Sequence, residues 1–250
     1  MFNFFSRSKK TAAQTEKADF SMLKTDMHSH LLPGIDDGSK DMDTTIELIR
    51  GMMKLGYTKF ITTPHIMWDM YRNTPTIILE KLEQVRKAIA DAGIEAEIYA
   101  AAEYFLDEHV DDLLQQNEKL LTIKDNMVLC EFSMAYEPRG LKDVLFEMQM
   151  QGYLPVIAHP ERYIYLEGNK ELYDELKATG CYFQLNALSL AGHYGKSQQE
   201  LANYLVKKGY YELVGTDLHG FRHLDGLHTV TANTVFQKLL DSGKLINASL

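Results

Sequence analysis

Apolar residues follow two alternating patterns along this chain. Seven short runs, at 24–30, 59–65, 96–104, 126–132, 154–159, 182–187 and 212–217, are rich in Val, Ile, Leu, Tyr and Phe, and several are nearly continuous. Runs of this length predict strands covered on both faces. Between them the apolar positions take helical spacing. Segment 43–55 carries Ile46, Ile49, Met52 and Met53 on one side, with Thr44 and Glu47 at capping-box spacing. Segment 74–92 starts with Pro75 near its first helical position and carries Leu79, Leu82, Val85 and Ile89. Gly56, Gly93, Gly152, Gly180 and Gly209 each follow a predicted helix and precede a predicted strand, as a left-handed helix cap requires. Alternating β and α units predict a parallel sheet with right-handed crossovers.

Composition narrows the class. The 250 residues fit one large α/β domain or two small ones. No low-complexity linker interrupts 22–250, so a single domain is expected there. Residues 1–21 are expected to form a mobile extension. Its apolar Phe2, Phe4 and Phe5 precede Arg7, Lys9 and Lys10, the reverse of a secretory signal. No apolar run approaches the roughly 20 residues of a membrane span, so the expected location is the cytoplasm, without membrane insertion. The formal net charge of −9 gives no global reason to bind nucleic acid. Cys130 and Cys181 lie in predicted buried strands and read as small core residues rather than a disulfide or redox pair.

Candidate chemistry collects at one place in this pattern. His28, His30, Asp37, His65, Glu103, Glu131, His159, Asp217 and His219 fall at or just past the C-terminal ends of predicted strands. Singly, each has an ordinary explanation. A His-x-His pair is a weak signal, an Asp-Asp-Gly loop is usually a solvated turn, and a lone histidine is more often structural. Together they place a potential ligand at the same end of six strands. An open sheet concentrates its ligands at a switch point, so a closed or nearly closed barrel is expected, with its site on the C-terminal rim. Glu131, inside an apolar strand, needs a metal or an arginine as partner, because an unpaired buried charge is costly. Imidazole and carboxylate without thiolate suit Zn, Mn or Fe. Nine ligands imply two or three divalent ions, which suit hydrolysis of a phosphate ester or an amide.

The segments around His28 and His30, His65, Glu103, Glu131, residues 158–163 and Asp217 with His219 resemble the polymerase-and-histidinol-phosphatase (PHP) superfamily. Segments 28–38, 158–163 and 180–186 look more closely like the bacterial capsule-cluster tyrosine phosphatases of the CpsB/YwqE type, over roughly 24–245. The resemblance implies a distorted seven-stranded (β/α) barrel with a trinuclear site. By motif position one ion takes His28, His30, Glu103 and Asp217, a second Glu103, Glu131 and His159, and a third Asp37, His65 and His219. It also implies manganese activation, with iron or zinc as alternatives. The implied substrate is phosphotyrosine on the tail of a bacterial tyrosine kinase that controls polysaccharide export.

Arg162, three residues past His159, is the expected phosphate clamp, with an ion pair to an acid such as Glu161 as the alternative. Arg222, three past His219, is a second candidate, and Arg72 and Arg139 are weaker ones. Neither cysteine has an arginine six residues on, so the thiol-dependent phosphatase signature is absent. Trp68 either lines the substrate mouth or packs in the core. His109, His193, His223 and His228 read as surface residues. Three rivals stay open: a histidinol-phosphatase, a metal-dependent amidohydrolase and a non-enzymatic kinase regulator. Glu103 and Glu131 stand where an amidohydrolase commonly carries a carbamylated lysine, which counts against the second.

Overall fold

The structure, a computed structural model, describes residues 19–250. Among these residues nine parallel strands are interleaved with helices: β1 (Thr25–Asp26), β2 (Lys59–Thr62), β3 (His65–Ile66), β4 (Glu97–Ala100), β5 (Glu103–Phe105), β6 (Met127–Glu131), β7 (Leu154–Ala158), β8 (Tyr182–Asn186) and β9 (Leu213–Gly215). The helices are α1 (Met42–Lys54), α2 (Pro75–Asp91), α3 (Glu108–Gln115), α4 (Leu141–Met150), α5 (Glu171–Ala178), α6 (Ala187–Leu190), α7 (Lys196–Lys208), α8 (Phe221–Val230) and α9 (Thr234–Leu240). A short 3-10 turn, Pro160–Arg162, follows β7.

The strands form two sheets, ordered β1-β2-β4 and β3-β5-β6-β7-β8-β9. The expected runs 59–65 and 96–104 are each interrupted, at Thr63-Pro64 and at Ala101-Ala102. Proline has no N–H to give to a ladder. Hydrogen bonds nevertheless cross the breaks: Thr63 N donates to Ser29 O at 2.7 Å, Ala101 N to Thr62 O at 2.9 Å and Glu103 N to Pro64 O at 3.1 Å.

The first and last strands also meet. An isolated parallel bridge joins Ser29 to Leu218. Asp217 N donates to His28 O at 2.7 Å and His30 N to Leu218 O at 3.0 Å. At the opposite end of this seam, side chains replace the ladder. Asn247 Nδ2 donates to Thr25 O and Val214 O, and its Oδ1 accepts from Val214 N. Asp26 accepts from the N and Oγ1 of Thr216, both at 3.0 Å.

Strand side chains divide by period two. Phe60, Val128, Cys130, Ile157, Phe183, Leu185 and Val214 join the large core against the helices. Met27, Ile61, Leu129, Val156, Ala158 and Leu213 form a separate, smaller core on the other face. The five helix-terminal glycines all have positive φ, as expected. Thr74 caps α2, with Pro75 at its first position. The expected Thr44–Glu47 capping box does not form. Asp41 caps α1 by accepting from Thr44 N, and Glu47 pairs instead with Arg50. Asp41 wins because it stands at the residue where the backbone is still extended.

Both cysteines are buried and free. Most of the expected extension 1–21 lies outside the described residues. Phe20, at its end, is fully buried and stacks on Tyr57, which moves the start of the packed domain back to at least that residue. No helix among the described residues is long and apolar enough to cross a membrane.

Candidate metal centre

All nine expected ligands come together at the C-terminal ends of the strands. Starting two residues past β1, the extended segment points His28 and His30 the same way, as i, i+2 positions must. Their Nε2 atoms lie 3.1 and 3.4 Å from Glu103 Oε2, and each is 3.4 Å from Asp217 Oδ1. His65 Nδ1 is 3.3 Å from Glu103 Oε2 and 3.8 Å from Glu131 Oε2. His159 Nε2 stands 3.1 Å from Glu103 Oε1 and 3.7 Å from Glu131 Oε1. Asp37 Oδ1 lies between His65 and His219, at 3.6 and 3.3 Å.

Three groups have donor atoms within 4.8 Å of one another: His28, His30, Glu103 and Asp217; His65, Glu103 and Glu131; and His30, Asp37, His65 and His219. These overlap the three expected sets. His159 falls outside the groups but reaches both glutamates of the second.

The donors fit divalent cations. His28 Nε2, His30 Nε2, His65 Nδ1 and Glu103 Oε2 are buried at the centre without a hydrogen-bond partner. Three of the imidazole nitrogens approach Glu103 Oε2 to 3.1–3.4 Å yet do not satisfy hydrogen-bond geometry with it. Buried polar atoms are normally paired. Unpaired lone pairs converging on common points are what a cation satisfies.

Side chains behind the ligands fix their orientation. Gln184 Oε1 meets His28 Nδ1 at 2.8 Å, leaving Nε2 to face the centre. Asp36 Oδ2 meets His30 Nδ1 at 2.8 Å and accepts from His65 N. Asn186 Nδ2 holds Asp217 Oδ2 at 3.0 Å. The backbone adapts as well: His159 and Asp217 have φ of 33° and 51°. Such left-handed conformations cost on the order of 1–3 kcal/mol and concentrate at functional sites.

The electrostatics divide the carboxylates. Burial opposes ionisation of Glu103, but the charges of His28 and His65 outweigh it and hold Glu103 well below the usual range. Asp217 is likewise held down against burial by His28 and His219. Burial, then repulsion from Glu103 and Asp217, pushes Glu131 well above it. Burial and the charge of Arg162 push His159 down to about 4. His159 is therefore neutral, with one ring nitrogen free to act as a ligand.

These residues floor a cleft of about 460 Å³, with Met67, Met70, Tyr71, Met134, Arg162, Tyr194 and His223 around it. Arg162 enters the cleft. Its guanidinium donates to Asp217 Oδ2 at 2.7 Å and lies 4.5 Å from the Tyr194 ring centre. The alternative pair with Glu161 does not form. Glu161 is buried beneath, accepting from Ser189 Oγ, Tyr211 OH and Asn186 N.

Arg222 does not line the cleft. It is exposed on a neighbouring depression with Lys40, separated from the cleft by His219 and His223. Arg72 donates to Trp68 O, and Arg139 lies in a loop depression of its own. Trp68 stacks on His109 behind its loop, so Met67, Met70 and Tyr71 line the mouth in its place. His228 is exposed, as expected, but His223 is half-buried at the cleft wall, with Nδ1 against Asp217 O at 3.0 Å, and His193 packs edge-on to it. The sequence reading missed Asp36, Gln184 and Asn186. Asp36 had one available signal, its place beside Asp37 in the acidic loop.

A family described as capsular polysaccharide synthesis, CpsB/CapC, matches residues 24–239. The tyrosine-protein phosphatase YwqE of Bacillus subtilis is 30% identical over 213 residues, covering 85% of this chain and 84% of that protein. Crystal structures of YwqE and of CpsB from Streptococcus pneumoniae, described as unique metal-dependent tyrosine phosphatases, include a chain that superposes with a TM-score of 0.77 at 27% identity. That match covers 90% of this chain and 94% of the other. A histidinol phosphate phosphatase from Lactococcus lactis shares the fold, with a TM-score of 0.53 at 12% identity, over 86% of this chain and 93% of its own.

Proposed function

This chain belongs to the capsular polysaccharide synthesis family CpsB/CapC, and from that premise we propose that it is a metal-dependent protein-tyrosine phosphatase. The observation that carries the reading is the convergence of eight histidine and carboxylate ligands, with His159 against the two glutamates, around His28 Nε2, His30 Nε2, His65 Nδ1 and Glu103 Oε2, which are buried without a hydrogen-bond partner. The proposed substrate is phosphotyrosine on a bacterial tyrosine kinase that governs capsular or exopolysaccharide synthesis, and the proposed location is the cytoplasm. The catalytic domain is the expected 22–250 extended back to at least Phe20. Its two sheets act as one distorted seven-stranded (β/α) barrel, a reading supported by the hydrogen bonds across the strand breaks and along the β1–β9 seam.

The ligand sets are those the motif positions imply. His28, His30, Glu103 and Asp217 would hold one ion, Glu103, Glu131 and His159 a second, and Asp37, His65 and His219 a third. Manganese is the proposed metal. Bound divalent ions supply Lewis acidity to the phosphoryl oxygens and acidify water at the site.

The chain's own residues do the rest. Arg162 is the one Arg or Lys lining the cleft among the described residues, and it binds a non-bridging phosphoryl oxygen through its guanidinium fork. Asp217 and the Tyr194 ring hold that fork in place beforehand. Gln184 and Asp36 keep His28 and His30 turned to the centre. The phenol of tyrosine leaves with a pKa of about 10, so the departing oxygen needs less proton donation than an alkoxide.

Phosphate release from a phosphotyrosine peptide tests the reading, in Mn²⁺, in chelator and with His159→Ala. Turnover is expected in Mn²⁺ alone, falling at least ~100-fold in the other two. Release from histidinol phosphate but not from the peptide would keep the metal centre and remove the substrate. Turnover that survives both chelator and substitution would remove the metal mechanism.

A further inference from the structure

The cleft has a polar floor and an apolar collar. Met67, Met70 and Tyr71 come from the loop after β3, Met134 from the loop after β6, and Tyr194 from the loop after α6. The first of these loops is firmly built. Met67 and Tyr71 exchange backbone hydrogen bonds at 3.2 and 2.7 Å. Asn73 Nδ2 ties the loop to Ile35 O and His65 O at 2.9 and 2.8 Å. Trp68 N donates to Asp107, and the indole stacks on His109 with centres 3.8 Å apart. Despite this anchoring, Met70 is left 67% exposed at the cleft.

The two tyrosines of the collar each have a face already taken. Tyr71 stacks on His65 at 5.5 Å and 11° between planes. The Tyr194 ring carries the Arg162 guanidinium. The methionines are the adaptable part of the wall. Methionine is unbranched and polarisable, and its sulfur makes favourable contacts with aromatic rings. A ligand whose anionic head sits on the cation-binding floor must pass its body through this collar. The body that suits an apolar, methionine-lined passage is a flat aromatic ring.

Resting on the phosphatase reading, we propose that Met67, Met70 and Met134 form a subsite for the aromatic ring of an aryl phosphate. Selection among phosphate monoesters then comes from this collar reading the ring, while the floor reads only the phosphoryl group. Alkyl phosphates, including phosphoserine, present nothing to it.

Calorimetric titration of the Mn²⁺-loaded protein with benzylphosphonate and methylphosphonate tests this without chemistry, because the two share a head group and differ by the ring. The wild type is expected to bind the benzyl compound at least ~10-fold tighter. Met70→Ala is expected to shrink that ratio about threefold and Met70→Ala with Met134→Ala about tenfold. Met70→Leu, apolar and of similar volume, is expected to retain most of it. Met70 is exposed, so its single variant reports even if the double variant folds poorly. A wild type without ring preference, or a ratio unchanged in the alanine variants, overturns the subsite. Hydrolysis of the phosphotyrosine peptide is measured on the same protein. Ring preference without peptide turnover removes the phosphatase reading alone, and peptide turnover with an unchanged ratio removes the subsite alone.

Discussion

At the level of single residues, ligands and their supports differ in how they can be read. Histidine and carboxylate at the ends of apolar runs are conspicuous because burial of such groups demands a partner. Eight of the nine candidates stand at such ends, whereas Asp37 lies in an exposed acidic turn and was picked out only by its company. Asp36 and Asp37 are adjacent and chemically identical, and only the folded loop decides that Asp37 faces His65 and His219 while Asp36 grips His30 from behind. Gly38 and Gly215 were equally silent. A Cβ on Gly38 would stand 2.3 Å from His30 Cβ, and one on Gly215 2.5 Å from His28 Cβ, so both ligand histidines need a bare backbone against them. Partners that orient a ligating histidine typically carry 10–100-fold in metal affinity. Asp36→Ala is therefore expected to weaken Mn²⁺ binding by roughly that factor while the fold persists. Metal titration of the stripped protein, with circular dichroism as the control for folding, reads it directly. Unchanged affinity would mean that the Asp36–His30 contact does not orient the ring.

At the level of elements, periodicity located the strands and helices but not their internal breaks. The runs 59–65 and 96–104 look continuous because strand pattern records burial, not pairing. Pro64 withholds its N–H, and the ladder resumes one strand segment later, placing His65 and Glu103 side by side at the start of β3 and β5. Helix ends were legible where a single cap residue was available, as at Thr74, and ambiguous where three competed. Asp41, Thr44 and Glu47 all lie within reach of the start of α1, and the extended backbone at Asp41 decides among them. Replacing an N-cap by alanine typically costs ~1 kcal/mol. Asp41→Ala is expected to destabilise the protein by about that amount in urea unfolding, and Thr44→Ala by only a few tenths of a kcal/mol, since the Thr44 hydroxyl caps nothing. The reverse order would reinstate the capping box.

At the level of the whole molecule, the alternation of β and α anticipated parallel sheets, and the shared end of the candidate ligands anticipated that they meet in one cluster. What no pattern revealed is how the last strand meets the first. The seam between β1 and β9 is closed at the ligand end by backbone and at the other end by Asn247, some thirty residues past β9, whose amide satisfies Thr25 and Val214. Contacts between residues 222 apart in sequence leave no local signature. The arrangement separates two sources of stability. Asn247→Ala strands buried backbone groups far from the ligands, each worth roughly 1–3 kcal/mol, and is expected to lower the melting temperature with or without metal. The proposed metal would act at the rim, where Asp37, Glu103, Glu131 and Asp217 crowd together. Ions present at about a thousand times their dissociation constant stabilise the native state by ~4 kcal/mol, or on the order of 10 °C for a chain of this size. That increment on adding Mn²⁺ to the stripped protein is expected to be the same in Asn247→Ala as in the wild type, and to shrink in His159→Ala. Thermal melts of the three proteins with Mn²⁺ and with chelator decide it. An increment lost in Asn247→Ala would mean that closing the seam and assembling the metal centre are one event rather than two.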